Sequence, residues 1–230
     1  MGYYLEPIIE TPNSRRLRML AHLPLRLWLR RLHRMEVRGL EHVAAAGPAI
    51  FAANHASHLD APILFAALPT PRVAELHSLA ARDVFLVRRH RAAAAYLTSN
   101  ALPLDRRGAP REGMTLAEAA LRAGRSVVIF PEGLRKSDAV IGPFKSGVGQ
   151  LALRTGAPVI PAFIEGARRC LPKGSRLPIP GPIRVTFGPP LRFPPESDRR
   201  EVARVVEAAV RRLAGEGAEP TTGRVEPGPV

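Results

Sequence analysis

From Met35 to Phe187, short apolar runs alternate with stretches of helical period, and this alternation constrains the fold more than any other feature of the chain. Seven runs read as strands: Glu36–Arg38, Ala49–Ala53, Glu75–Ala80, Leu102–Leu104, Ser126–Phe130, Val159–Ile164 and Ile183–Phe187. Helical patterns fall between them near Ala61–Leu68, Ala92–Ser99, Thr115–Ala123 and Val148–Arg154. Strands that take turns with helices build an α/β sheet covered by helices on its faces. The run SVVIF, apolar throughout and rich in β-branched residues, predicts a central strand. Thr115 and Glu118 have capping-box spacing, and Gly124 follows as a helix stop. Ser197 or Asp198 caps a last helix whose Val202, Val205, Val206, Ala209, Val210 and Leu213 form an apolar face. The expected architecture is one α/β domain over residues 35–214 with a mixed, largely parallel central sheet. A disordered tail is expected over 215–230.

Ahead of this domain, Arg15–Arg34 reads RRLRMLAHLPLRLWLRRLHR. Leu25, Trp28, Leu29 and Leu32 recur at helical spacing, with Arg26, Arg30 and Arg34 on another face. Pro24 kinks this helix or opens a second one. One reading of this two-helix amphipathic segment over residues 1–34 lays it on a membrane, with the Leu/Trp stripe in the interface and arginines on phosphates. The competing reading docks the same stripe on the domain's own core.

Composition excludes several classes. The 230 residues carry 34 Lys+Arg against 20 Asp+Glu, a formal net charge of +14, which favours anionic partners without choosing among them. Being 46% hydrophobic and 23% charged, the chain can bury a normal core. Aromatics make up only 5%, and no basic stretch is interleaved with stacking residues, so no nucleic-acid partner is expected. Cys170 is the single cysteine, which removes an internal disulfide and a thiolate-rich metal site. No apolar stretch is long enough to span a bilayer, and the N-terminus lacks the pattern of a signal peptide. A cytosol-facing chain is expected.

The chemistry concentrates in a few turns. AIFAANHASHLDAPI places His55 and Asp60 just after a strand and at the start of a helix, where open α/β sheets present functional groups. Across such a turn a carboxylate reaches back to an imidazole, takes its Nδ1–H and leaves Nε2 as a base. VVIFPEGLRKSD runs from the central strand into a Pro-Glu-Gly turn bearing Arg135 and Lys136. Gly133 is free to take a conformation other residues avoid, and Arg135 presents a planar fork suited to phosphate. ALPLDRRG ends another strand with Arg106 and Arg107. Two arginine-bearing turns at strand ends would clamp a phosphate.

NHASHLD, LPLDRR, FPEGLRKS and VIPAFIEG, in this order and with GPFKSG between the last two, resemble the four motif blocks of the 1-acyl-glycerol-3-phosphate acyltransferases. The resemblance spans about Asn54 to Gly166. It implies that His55, oriented by Asp60, takes the proton of an acceptor hydroxyl while that oxygen attacks an acyl thioester. It further implies that Arg106, Glu132, Gly133, Arg135 and Lys145 hold the acceptor's glycerol phosphate. For Glu132 a second role stays open, that of a carboxylate holding a neighbouring loop in place. The implied acceptor is 1-acyl-sn-glycerol-3-phosphate, giving phosphatidate, with glycerol-3-phosphate, lyso-ornithine lipids and other lysolipids as alternatives. The implied donor is acyl-CoA or an acyl-carrier protein, with no cofactor and no metal. The resemblance also turns the segment over residues 1–34 toward a membrane, and the implied place is the cytoplasmic face of the cell membrane, on an anionic lipid surface.

Two rivals remain. HASHLD resembles in part the metal motif of metallo-β-lactamase-like hydrolases, but all seven histidines lie at or before His90, so later ligands are missing. A lipid-surface binding protein of the same fold without activity is the other.

Overall fold

The structure, a computed structural model, describes residues 12–81, 96–104, 111–135, 141–172, 174–175 and 177–215. Among the described residues seven strands form one sheet: β1 (Glu36–Arg38), β2 (Ile50–Ala53), β3 (Leu76–Ala81), β4 (Ala101–Leu104), β5 (Ser126–Ile129), β6 (Val159–Glu165) and β7 (Arg184–Phe187). Their order is β1-β7-β6-β2-β5-β3-β4. Every neighbouring pair is parallel except β6 with β7. This is the expected mixed, largely parallel α/β sheet, and SVVI of the SVVIF run becomes the fully buried β5 beside β2 near its middle, with Phe130 half-buried just beyond it.

The helices among the described residues are α1 (Pro12–Leu32), α2 (Leu40–Ala45), α3 (Asp60–Ala67), α4 (Thr70–Val73), α5 (Arg111–Arg122), α6 (Gly147–Thr155), α7 (Ala167–Cys170) and α8 (Arg199–Leu213). The period of two along β2 sorts the core into two layers. Phe51 and Ala53 join Leu29, Ile63, Leu64 and Phe187 on the face covered by α1 and α3. Ile50 and Ala52 join Leu121, Leu151, Val202 and Val206 on the face covered by α5, α6 and α8. The helices α6 and α8 meet closely, because a Cβ on Gly149 would lie 2.1 Å from the Arg199 carbonyl oxygen.

Asp198, rather than Ser197, caps α8, accepting from the backbone N–H of Arg200 at 2.8 Å and Glu201 at 3.0 Å. Val205, placed on its apolar face from sequence, is exposed. The Thr115/Glu118 pair does not cap α5, because that helix begins a turn earlier, at Arg111. Glu118 is instead buried and binds Arg122 and Arg154, joining α5 to α6. Of the helix expected near Ala92–Ser99 only the last turn lies within the described residues, and the tail expected over 215–230 lies almost wholly outside them.

The N-terminal segment differs most from expectation. Over the described residues it is one helix that runs through Pro24. Pro24 leaves a carbonyl one turn back without its amide, and because Pro24 is exposed, water reaches that side of the helix. Most of the stripe read as meeting a membrane faces the body instead: Leu29 is fully buried, and Leu25 and Trp28 pack on the same cluster, while Leu32 stays exposed. The cause is α3, which buries Ile63 through Ala67 and therefore needs apolar cover on several sides. At about 100° per residue, Leu20, Pro24 and Leu27 lie roughly opposite Leu29 and His22. A second row, Leu17, Leu20, Leu23 and Leu27, is thus left exposed, beside exposed Arg16, Arg30 and Arg31.

Candidate active site

The carboxyl ends of β2, β5 and β6 meet at one edge of the sheet, because these strands are adjacent and parallel. Beyond β2 the chain turns through Asn54–Leu59 into α3. Asn54 is buried, and its side chain extends the β2–β6 ladder by one rung. Its Nδ2 donates to the Ile164 carbonyl at 3.0 Å, and its Oδ1 accepts from the Ile164 N–H at 2.8 Å. Ser57 secures the turn, donating to the Leu171 carbonyl at 3.1 Å and accepting from the Leu59 N–H at 3.3 Å.

Asp60, 1% exposed, begins α3 and points back into this turn. Its Oδ2 takes three donors: the His55 ring Nδ1 at 2.8 Å and the backbone N–H groups of Ala56 at 2.7 Å and Ser57 at 2.8 Å. Its Oδ1 is buried without a hydrogen-bond partner. The N-terminal end of a helix favours a carboxylate electrostatically. The His55 ring also stacks on Phe130, at 4.4 Å between centroids and with an interplanar angle of 21°. Two contacts at right angles to each other thus hold the imidazole, and Nε2 is the ring nitrogen left to face a substrate.

The third motif closes over the first. Glu132 is buried in the turn after β5, and its Oε1 accepts the backbone N–H of His55 at 2.7 Å while Oε2 accepts that of Gly142 at 2.9 Å. One carboxylate therefore ties the β2 turn to the chain leading into α6. Of the two roles open from sequence, the loop-holding one describes these contacts. Gly133 has φ 74°, and the end of the Lys145 side chain lies against it: a Cβ there would sit 2.7 Å from Nζ. The Lys145 backbone N–H is bound to the Pro131 carbonyl at 2.9 Å. Arg135 follows on the same turn, half-buried. Just past Lys145 the N-terminus of α6 adds the positive end of its dipole. The structure thus gathers His55, Asp60, Glu132, Gly133 and Lys145 through direct contacts, with Arg135 two residues from Gly133. Arg106 lies outside the described residues.

The sequence model of the acyltransferase family matches residues 34–165, more than half of the chain. The chain belongs to the acyltransferase family. Within that family, this acyltransferase chain is 28% identical over 203 residues to a 1-acyl-sn-glycerol-3-phosphate acyltransferase of Pseudomonas aeruginosa, covering 86% of this chain and 76% of that protein. It is 27% identical over 183 residues to a chloroplastic 1-acyl-sn-glycerol-3-phosphate acyltransferase of Brassica napus, covering 76% of this chain and 51% of that protein. The acyltransferase chain spans about half the length of the plant relatives it matches. The crystal structure of the 1-acyl-sn-glycerophosphate acyltransferase of Thermotoga maritima has the same fold, with a TM-score of 0.69 at 24% identity, over 91% of this chain and 85% of that one.

Asn54 and Phe130 matter to this acyltransferase site in ways the motifs did not announce. An asparagine directly after a strand is the one signal that could have pointed to a side chain continuing the ladder. Gly142 opens the GPFKSG phrase, but its part is played by a backbone N–H, which no side-chain pattern reveals.

Proposed function

We propose that the chain is a membrane-bound acyltransferase that moves an acyl group from acyl-CoA or an acyl-carrier protein to the free hydroxyl of 1-acyl-sn-glycerol-3-phosphate. The observation that carries this reading is the 2.8 Å bond from His55 Nδ1 to the buried Asp60 carboxylate at the end of a central strand. With Nδ1 held, Nε2 takes the proton of the acceptor hydroxyl as that oxygen attacks the thioester carbonyl. The carbon–sulfur bond breaks as the tetrahedral intermediate collapses, and the imidazolium returns its proton to the departing thiolate. Asp60 stabilises the imidazolium in between, and no covalent acyl-enzyme is formed. Lys145, Arg135, the α6 N-terminus and, by family resemblance, Arg106 supply the positive potential that an acceptor phosphate needs. Glu132 and Gly133 shape the turn that presents them.

Supporting the membrane part is the exposed row Leu17, Leu20, Leu23 and Leu27 flanked by arginines, a face suited to an anionic cytoplasmic leaflet. Among the described residues no helix is long and apolar enough to cross a membrane.

The test is thiol release from acyl-CoA and from acyl-carrier protein by the purified protein, with and without 1-acyl-sn-glycerol-3-phosphate, beside His55→Ala. Release that depends on the acceptor and is lost in the variant supports the reading. Release only with glycerol-3-phosphate or a lyso-ornithine lipid would replace the acceptor, and none with any pair would leave a lipid-surface binding protein.

A further inference from the structure

The side of α1 that faces α3 and α4 does not close. Between these helices lies a cleft of about 190 Å³, well above the roughly 10–15 Å³ that one water requires. Leu20, Leu23 and Arg26 form the α1 wall, and Phe65, Leu68 and Val73 form the other. The proposed chemistry makes no use of it. Phe65 is five residues beyond Asp60, about 7.5 Å farther along α3, and it stacks on His22 of α1 at 5.5 Å.

Its cations give this cleft a chemistry. Arg26 lines it, and the Arg26 Nε is buried without a hydrogen-bond partner. Arg30 stands one turn farther along α1. Burial, and then the charge of Arg30, hold the Arg26 guanidinium below its ordinary pKa. Among the described residues no carboxylate pairs with Arg26 or Arg30. Two neighbouring guanidinium groups, one of them partly desolvated, are costly without an anion, and the arginine fork matches the oxygens of a phosphate. The apolar walls lead from these cations to Leu20 and Leu23, which belong to the exposed leucine row. A ligand that satisfies both halves has an anionic head and a hydrocarbon chain.

We propose that the cleft between α1 and α3–α4 binds an anionic phospholipid of the bilayer, its phosphate on Arg26 and Arg30 and an acyl chain along Leu20, Leu23, Phe65 and Val73. The site is separate from the catalytic one, and its lipid touches both α1 and α4, so it steadies α1 in its docked position. The inference rests on the membrane part of the reading above and is independent of acyl transfer.

The test is calorimetric titration of the purified protein with monomeric dihexanoyl-phosphatidylglycerol and, in parallel, dihexanoyl-phosphatidylcholine. Four variants are compared: Arg26→Gln/Arg30→Gln, the charge-matched Arg16→Gln/Arg31→Gln on the exposed face, Thr70→Phe at the exposed rim of the cleft, and Arg135→Gln at the catalytic site. The wild type is expected to prefer phosphatidylglycerol. Arg26→Gln/Arg30→Gln should weaken that binding about ten-fold or more, and Thr70→Phe should weaken both lipids by filling the cleft. The other two variants should bind as the wild type does. Equal loss in Arg16→Gln/Arg31→Gln would mean diffuse charge attraction, and loss confined to Arg135→Gln would mean that the lipid sits in the catalytic site. No wild-type binding, or binding indifferent to both cleft variants, would also overturn the proposal. Circular dichroism checks folding, and should the double arginine variant not fold, Thr70→Phe decides. Failure of the enzymatic reading would appear instead as missing thiol release, which this titration does not measure.

Discussion

Glu132 accepts the backbone N–H of His55 at 2.7 Å across 77 residues of sequence, so the carboxylate of one motif sets the main chain of another. Its second oxygen takes the N–H of Gly142, which makes both oxygens acceptors from the protein. An amide in its place offers one acceptor and turns a donor toward the other N–H. Glu132→Gln should therefore lower kcat by about 10²-fold through misplacement of His55, with a small change in the acceptor KM, and lower stability by about 1–3 kcal/mol. Steady-state kinetics over acceptor concentration check this. A raised KM at unchanged kcat would assign Glu132 to substrate contact.

Asn54 makes the corresponding connection on the other side of β2. Both atoms of its amide are bonded to Ile164, so removing them leaves a buried N–H and C=O without partners. Asn54→Ala and Asn54→Asp should each cost about 1–3 kcal/mol, because a carboxylate accepts from the N–H but repels the carbonyl. For a domain of this size that is a drop in Tm of about 2–4 °C per kcal/mol, read by thermal denaturation. An unchanged Tm in Asn54→Asp would mean that the carbonyl bond carries no weight.

The two faces of α1 should separate stability from membrane binding. Leu29→Ala removes a fully buried side chain and should cost about 2–5 kcal/mol. Replacing Leu20, Leu23 and Leu27 together by serine touches exposed positions and should leave the unfolding midpoint within about 0.5 kcal/mol per site. The same triple variant should lose binding to vesicles containing phosphatidylglycerol. Cosedimentation unaffected by it would remove the leucine row as the membrane face.

His33 should make the fold acid-sensitive. It is fully buried edge-on to Trp28, and burial, opposed in part by the Gly181 backbone, lowers its pKa from the ordinary 6.5. Above that value the imidazole is neutral in both states and takes nothing from stability. As pH falls below it the unfolded chain binds the proton before the folded one does, so stability declines through this window. Asp198 behaves as a carboxylate whose pKa is lowered, chiefly by the Glu201 and Arg200 amides, so its contribution is present above 3.8 and lost only below it. Denaturant midpoints at about pH 7 and about pH 5 should differ more in the wild type than in His33→Gln. Equal differences would clear His33.

Strand content was legible because period-two and continuous apolar runs report burial directly, and all seven expected strands form within a residue or two of their sequence limits. The pairing of His55 with Asp60 was legible for a different reason. Five residues across a strand-to-helix turn is a local relationship, so chain geometry nearly settles it. The short helices α2, α4 and α7 were not expected, since pieces of four to six residues carry too little periodicity to be told from loops.

What the sequence determined by itself was therefore local: the strands, the turns that end them, and the chemistry each turn carries. Tertiary structure decided which turns meet. Glu132 finds His55, and Asn54 finds Ile164 across 110 residues, only because β5 and β6 flank β2 in the sheet. It also decided which face of α1 is buried. Leu25, Trp28 and Leu29 and the row Leu20, Leu23 and Leu27 are equally apolar in sequence, and an apolar stripe says only that it must be covered. The first was claimed by α3, whose own apolar surface needed a partner, and the second was left to whatever lies outside the chain.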